Sequence, residues 1–407
     1  MTRVTKSTSD DELRKLVRDW LQAHWNASDR RPRDAAVQNW VRVVFDAGWS
    51  VPTWPVEWYG CGLTSQQAAL IEAEFACVHA PGAGLDRFHL AANTVLTFGQ
   101  DVLKREVLRG LVVGELKYCL LYSEPGAGSD LAALRTRADR EDDHWLVTGQ
   151  KVWTSGAQTA DFGLLLARTD WSVPKHQGIS FFCLPMKQSG IEVRPIRQIT
   201  GDSHFNEVFL DSARVPATHL LGQENAGWKI LQTALAYERL MMGEGAGERR
   251  VGQEWHASQN DNSVDLLSLA RTHGCHENPW IRQEIARALG YRHLNALNTD
   301  RAKAELTVSR SSSLMSLGKL AMSRILHEDA RVMTSILGAS SLLDGPQYPD
   351  AADVNYRTAN AYMTSIGGGT DQIQRNIIAE RVLGLPREVE VDRNVPFGSD
   401  RNDTAMR

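Results

Sequence analysis

A chain of 407 residues is too long for one compact core and calls for two or three domains, which its 42% hydrophobic content can fill. A net charge of −4, from 45 basic and 49 acidic residues, gives no ground for a nucleic-acid or anionic-membrane partner. Five scattered cysteines (Cys61, Cys77, Cys119, Cys183, Cys275) without a C-x-x-C pair argue for reduced thiols in a cytoplasm, and against a disulfide framework or a zinc site.

The polar opening, Met1 to Asp11, lacks the apolar stretch of a secretory leader, and no apolar run approaches 18 residues. Neither export nor a membrane span is therefore expected. Ser9-Asp10-Asp11-Glu12 reads as a capping box. Leu13, Leu16, Val17, Trp20 and Leu21 then follow the 3.6-residue period of a helix with one buried face. A second helix is expected over Asp34 to Ala47, followed by a Pro/Gly-rich connection from Val51 to Leu63. Thr64 caps a third helix to about His79. Pro81-Gly82-Ala83-Gly84 breaks it, and a fourth runs from about Leu85 to Phe98.

From residue 118 to about 215 the pattern changes to period two. Strands are expected at Tyr118–Tyr122, at His144–Thr148, at Lys151–Ser155 beyond a turn at Gly149-Gln150, at Phe162–Ala167 and at Gly178–Leu184. Short strands at this spacing predict a small β-barrel or sandwich. Gly222 to Gly227 is a loop, and from Trp228 to about Leu383 the chain reads as helical, with breaks near Gly274–Pro279 and Ser340–Pro349. Glu388 to Arg407 is polar and aperiodic, a mobile tail or subunit arm. The expected fold class is α+β and multi-domain: an N-terminal helical domain (1–117), a central β domain (118–225), a C-terminal helical domain (226–387) and the tail (388–407).

The chemistry centres on Tyr122-Ser123-Glu124-Pro125-Gly126-Ala127-Gly128-Ser129-Asp130. Pro125, Gly126 and Gly128 force a tight loop whose backbone N–H groups can face an anion or a ring edge. With the hydroxyls and the Trp of the next strands it forms a plausible floor for a flat aromatic cofactor. An ordinary β-meander with a Gly turn gives the same pattern.

Three blocks in order carry a resemblance. Tyr122 to Asp130 resembles the first signature of the acyl-CoA dehydrogenase family, and Gly149-Gln150-Lys151-Val152-Trp153-Thr154-Ser155 its next block. Gly369-Thr370-Asp371-Gln372-Ile373-Gln374-Arg375-Asn376, continuing to Glu380-Arg381-Val382-Leu383-Gly384, is similar to its C-terminal signature. The resemblance spans about residues 10 to 387 and implies an α–β–α architecture ending in a four-helix bundle. It implies an FAD-dependent oxidation of an acyl-CoA to its 2,3-enoyl-CoA, with an electron acceptor such as an electron-transfer flavoprotein. A homo-tetramer or homo-dimer is implied, with a hetero-oligomer as the alternative.

By the same resemblance, Leu120, Tyr122 and Ser123 match the segment that contacts the flavin ring, and Gly128 and Ser129 the loop beside the diphosphate and the CoA arm. Trp153 and Ser155 match the Trp and hydroxyl flanking the ring, while Thr370 and Gln372 match a C-terminal block that helps hold FAD. A Trp on a strand can equally be core. Two departures stand out. The family's Arg-x-x-Phe-Gly segment, supplied by a neighbouring subunit, is met only loosely by Leu269-Ala270-Arg271-Thr272-His273-Gly274, which makes Arg271 the carried-over residue. Its Gln before a Leu-Gly-Gly is replaced by Ser335-Ile336-Leu337-Gly338-Ala339.

The catalytic base is a third departure. Many members place a Glu immediately before the Gly-Thr of the C-terminal block, where this chain has Gly368. Others supply it from the first helix after the β domain, and Ala236-Tyr237-Glu238-Arg239-Leu240 matches that subgroup. Leu231, Ala234 and Leu235 lie seven, four and three residues before Glu238, which puts the carboxylate on the helix's apolar stripe. Burial there raises a carboxyl pKa towards that of a base able to take an α proton. A Glu238 neutralised by a neighbouring Arg is the competing reading, and Glu244 is the weaker base candidate. Arg239, Gly368, Ser129, Ala91 and Ala92 are the expected substrate-side residues. Ala91 and Ala92, on the helix that lines the pocket base in the family, leave room for a branched or ring-bearing acyl group, including steroid side-chain thioesters; equally, they mark close helix packing. Monooxygenase or desulfinase chemistry on the same fold, and a partner subunit of a hetero-oligomeric dehydrogenase, are the alternative functions.

Overall fold

A computed structural model describes residues 4–25, 34–87, 89–243, 265–308, 314–389 and 393–398. Five helices open the chain. In α1 (Asp10–His24) the Ser9 hydroxyl accepts the Glu12 N–H, and Leu13, Val17 and Leu21 are its buried stripe. After α2 (Asp34–Asp46), Thr64 and Gln67 form a reciprocal capping box at the start of α3 (Ser65–Cys77). The single helix expected over Leu85 to Phe98 is divided: a 3-10 turn, Leu85–Arg87, precedes α4 (Leu90–Phe98). The divider is His89, whose Nδ1 accepts the Ala92 N–H (3.1 Å) while its Nε2 donates to the Leu111 carbonyl (2.9 Å). Burial keeps that ring neutral, with its pKa pushed down to about 4. Next comes α5 (Asp101–Val113), a helix not foreseen, with Leu103, Val107, Leu108 and Leu111 on its buried face.

The central strands are β1 (Tyr118–Leu121), β2 (Arg137–Glu141), β3 (His144–Ser155), β4 (Phe162–Arg168), β5 (Ile179–Pro185), β6 (Ile191–Ile196), β7 (Phe205–Pro216) and β8 (Leu220–Leu221). They form one eight-stranded mixed sheet in the order β6-β7-β3-β2-β4-β5-β8, with β1 parallel to β4. The turn expected at Gly149-Gln150 does not exist. Instead β3 runs unbroken against β7, with register irregularities between Val147 and Gly149 and between Lys151 and Thr154. Gly149 is there for close approach, since a Cβ would stand 2.5 Å from the Thr136 hydroxyl.

Six helices follow: α6 (Gly227–Gly243), α7 (Leu266–Thr272), α8 (Pro279–Val308), α9 (Leu314–Leu337), α10 (Pro349–Ile366) and α11 (Asp371–Ile377). The central helix α9 packs on α6, α8, α10 and α11, which builds the bundle. Alternation explains why β4 and β5 read as solid apolar runs. Leu165, Ala167, Phe182 and Leu184 join Trp145, Val147 and Val208 inside the sheet's own core. Leu164, Leu166, Phe181 and Cys183 face the other way, towards Ala91, Leu108 and Leu231 of α4, α5 and α6.

Part of the polar tail, expected to be a mobile tail or a subunit arm, is docked on the chain's own central domain. Phe397 is 6% exposed; its N–H donates to the Val173 carbonyl (2.9 Å), and the Gly398 N–H donates to that of Trp171 (2.8 Å). Its ring centre lies 3.7 Å from the buried Arg168 guanidinium carbon and 5.5 Å from the Trp171 ring. One aromatic anchor leaves no periodicity for the sequence to show. Among the described residues no helix is long and apolar enough to cross a membrane.

Candidate active site

The end of β1 is laced to β3. The Ser123 carbonyl accepts the Val152 N–H (2.9 Å), and the wholly buried Lys151 ammonium donates to Glu124 Oε1 (2.8 Å) and to the Tyr122 carbonyl (3.1 Å). Glu124 also accepts the N–H groups of Arg135 (2.6 Å) and Thr136 (2.8 Å). Burial opposes its ionisation, but the Lys151 ammonium and these donors outweigh that and hold the carboxyl below its usual range. Within the loop, Glu124 and Ala127 exchange two backbone hydrogen bonds, each 3.0 Å. Glu124 and Lys151 stand within the first two motifs, and their pairing across 27 residues of sequence is not legible there.

Beyond Val152 the strand bulges. Trp153 has φ of 60°, a left-handed conformation costly for a bulky side chain, and is 58% exposed. Its neighbours take ordinary places: Thr154 is buried and Ser155 half-buried. Across from them, Leu120 and Ser123 are half-buried, and Tyr122 is buried with its ring 5.8 Å from that of Phe181. The loop ends on exposed Gly128 and Ser129, and a Cβ at Gly128 would meet nothing within 4 Å. A strained, exposed aromatic beside small hydroxyls and an open Gly-rich loop fits the demands of a flat ring carrying a diphosphate arm, such as FAD.

The remaining expected residues lie on the helices. Gly368 (φ 66°) and Gly369 (φ 84°) turn the chain into α11, where Thr370 is the cap and accepts the Ile373 N–H (3.1 Å). Buried Gln374 donates to the Gly368 carbonyl (3.1 Å) and so fixes this turn. Gln372 is exposed. Asp371 is held by Ser323 (2.8 Å) and Lys319 (3.2 Å) of α9. Arg271 is exposed on α7, which packs on α8 and α9. Thus Leu120–Ser129 and Trp153–Ser155 come together on the sheet, while Thr370, Gln372 and Arg271 sit on the bundle.

Ala91 and Ala92 are wholly buried, in a core shared with Leu231 and Ala234 of α6. The apolar stripe expected to carry the base is therefore present, with Leu231 and Ala234 buried and Leu235 half-buried. Glu238 and Arg239 continue that helix, but their side chains lie outside the described residues, as does Glu244.

Comparison with known proteins agrees along nearly the whole chain. Residues 7–115 match the model described as acyl-CoA dehydrogenase, N-terminal domain; residues 119–213 match the middle domain and 225–383 the C-terminal domain. The chain is 34% identical to acyl-CoA dehydrogenase IpdE1 of Mycobacterium tuberculosis over 358 residues, covering 86% of this chain and 88% of that one. It is 38% identical over 344 residues to acyl-CoA dehydrogenase FadE34 of the same organism, but spans only 45% of that relative's length. The solved structure named Tcur3481-Tcur3483 steroid ACAD superposes with a TM-score of 0.69 at 27% identity, covering 93% of this chain and 98% of that one.

Proposed function

The chain belongs to the acyl-CoA dehydrogenase family and is an oxidoreductase of that type, and from this premise we propose that it converts an acyl-CoA thioester to the 2,3-enoyl-CoA. The observation that carries the reading is Trp153, strained and exposed beside Ser123 on strand ends locked together by hydrogen bonds. When bound, FAD supplies the acceptor for the β hydride. Trp153, Ser123 and Ser155 bind and orient its ring, and the open loop at Gly128 and Ser129 takes up its charged arm. Glu238 takes the α proton. Arg239 and Ser129 hold the CoA side of the substrate.

The acyl group is branched or ring-bearing. Ala91 and Ala92 keep α4 slim where it meets α6, Gly368 keeps the C-terminal turn free of a side chain, and one similar structure is named a steroid enzyme. An anaerobic titration of the yellow protein with straight-chain, branched and ring-bearing acyl-CoAs tests this. Bleaching by the bulky thioesters is the expected result. Preference for unbranched chains overturns the substrate class, and absence of bleaching points to other flavin chemistry such as monooxygenation or desulfination. A colourless chain that cannot be reconstituted with FAD overturns the cofactor.

A second reading is that the chain works beside a different subunit. It spans 45% of FadE34, and the steroid structure's name joins two components. A chain that binds FAD only after mixing with such a partner supports this reading, and a homo-tetramer or homo-dimer that is yellow on its own refutes it.

A further inference from the structure

We propose that the buried Glu124–Lys151 pair is a positioning element of the cofactor site, setting the Tyr122–Ser123 segment against the Trp153 bulge. The inference rests on the FAD reading above. Burying an ion pair is a poor route to stability, because desolvation of both charges cancels most of their attraction and apolar residues of like size often do as well. Here the pair provides direction. One ammonium donates both to Glu124 and to the Tyr122 carbonyl, so β3 grips the loop on either side of Ser123. One carboxylate in turn gathers Lys151 and the N–H groups of Arg135 and Thr136, which joins the loop to the chain entering β2. Trp153 follows Lys151 by two residues and Ser123 precedes Glu124 by one. Methionine and leucine would fill this volume but would not fix the loop's distance and rotation relative to the bulge.

The surroundings leave the pair little freedom to rearrange. Arg168 lies near Glu124, but its guanidinium already donates to the carbonyls of Ala132 (2.7 Å), Leu134 (3.2 Å) and Lys175 (3.1 Å). It therefore supports the next stretch of loop and does not replace Lys151.

The test compares wild type with Lys151→Arg, Glu124→Gln and the neutral double variant Glu124→Gln/Lys151→Met, each purified with any partner it requires. Three quantities are read: FAD affinity, the visible spectrum of bound flavin, and the melting temperature of the apoprotein. Lys151→Arg keeps the charge but cannot reproduce the two single-point contacts. It is expected to fold with FAD bound on the order of tenfold more weakly, as when a group supporting a binding residue is altered, and with a shifted flavin spectrum. The double variant is expected to melt higher than Glu124→Gln alone without regaining affinity. Wild-type affinity and spectrum in either folded variant overturn the proposal, as does an affinity that follows the melting temperature across the series. Failure of the wild type itself to bind FAD counts against the proposed function instead.

Discussion

Trp153 and Phe205 meet edge to face on neighbouring strands, 5.9 Å between ring centres and 87° between planes, and the outer face of Trp153 stays uncovered. The contact fixes the indole's angle at a point where the backbone is already strained. Replacing Trp153 by Gly relaxes the positive φ, worth about 1 kcal/mol, which offsets the lost ring contact. The apoprotein's melting temperature is expected to stay within a few degrees of wild type. FAD affinity is expected to fall about fivefold, since ring contacts of this kind contribute about 1 kcal/mol. Calorimetry of the apoprotein and a flavin titration check the two halves separately.

The base can be tested without touching the flavin site. Glu238→Gln is expected to retain FAD and the oligomer while turnover falls at least ~10²-fold, the lower end for loss of a positioned base. Near wild-type turnover would move the base to Glu244 or to a partner chain.

Gly368 stands where the resemblance to the family would put that carboxylate, and its φ of 66° resists one. Gly368→Glu is expected to cost about 1 kcal/mol in stability for a side chain in the left-handed region. Added to Glu238→Gln, it should leave turnover as low as in the single variant. Recovery of rate in the double variant would show that the turn can present a base after all.

Acid titration reports on Glu124. Its folded pKa lies below the ordinary 4.5, so its contribution is present above that value and is lost as pH falls through the lower folded one. Glu124→Gln is expected to cost about 3 kcal/mol at pH 7, the scale of breaking a buried pair. The gap between the variant's melting temperature and that of wild type should begin to narrow below about pH 4.5 and close only once pH has fallen through the lower folded pKa, where the native carboxyl also becomes neutral. A gap constant from pH 7 to pH 3 would show that the fold does not lower the Glu124 pKa.

Phe397→Ala removes the only buried apolar side chain among the described tail residues. A loss of about 2 kcal/mol is expected, the scale of a desolvated cation–π contact. Limited proteolysis should then cut both the tail and the loop around Trp171 faster than in wild type.

The sequence showed most of what periodicity and capping can show. Leu13, Val17 and Leu21 gave α1, and Thr64 with Gln67 capped α3. The misses have physical causes. Gly149 looks like a turn residue, yet it serves a close approach to Thr136 within a continuous strand. His89 begins a helix with a ring nitrogen, not with one of the usual capping side chains. In the site, the motifs pointed to Ser123 and Trp153, but neither the positive φ of Trp153 nor the Glu124–Lys151 pairing is visible before the strands are aligned. The bulge belongs to the β3–β7 register, and the pairing depends on β1, parallel to β4, bringing the loop beside β3.

The docked Phe397 also changes how the bundle is attached to the sheet. The chain leaves the sheet at Leu221 and returns, through Phe397 and Gly398, to Trp171 and Val173 in the loop between β4 and β5. The helices between are tethered at both ends, so swinging on the single linker before α6 is blocked while the ring stays seated. Separation of bundle from sheet then requires, besides loss of the core that α6 shares with β5, the withdrawal of an aromatic ring from beneath Arg168. Such a latch ties the end of the chain to the side of the sheet from which the bundle departs.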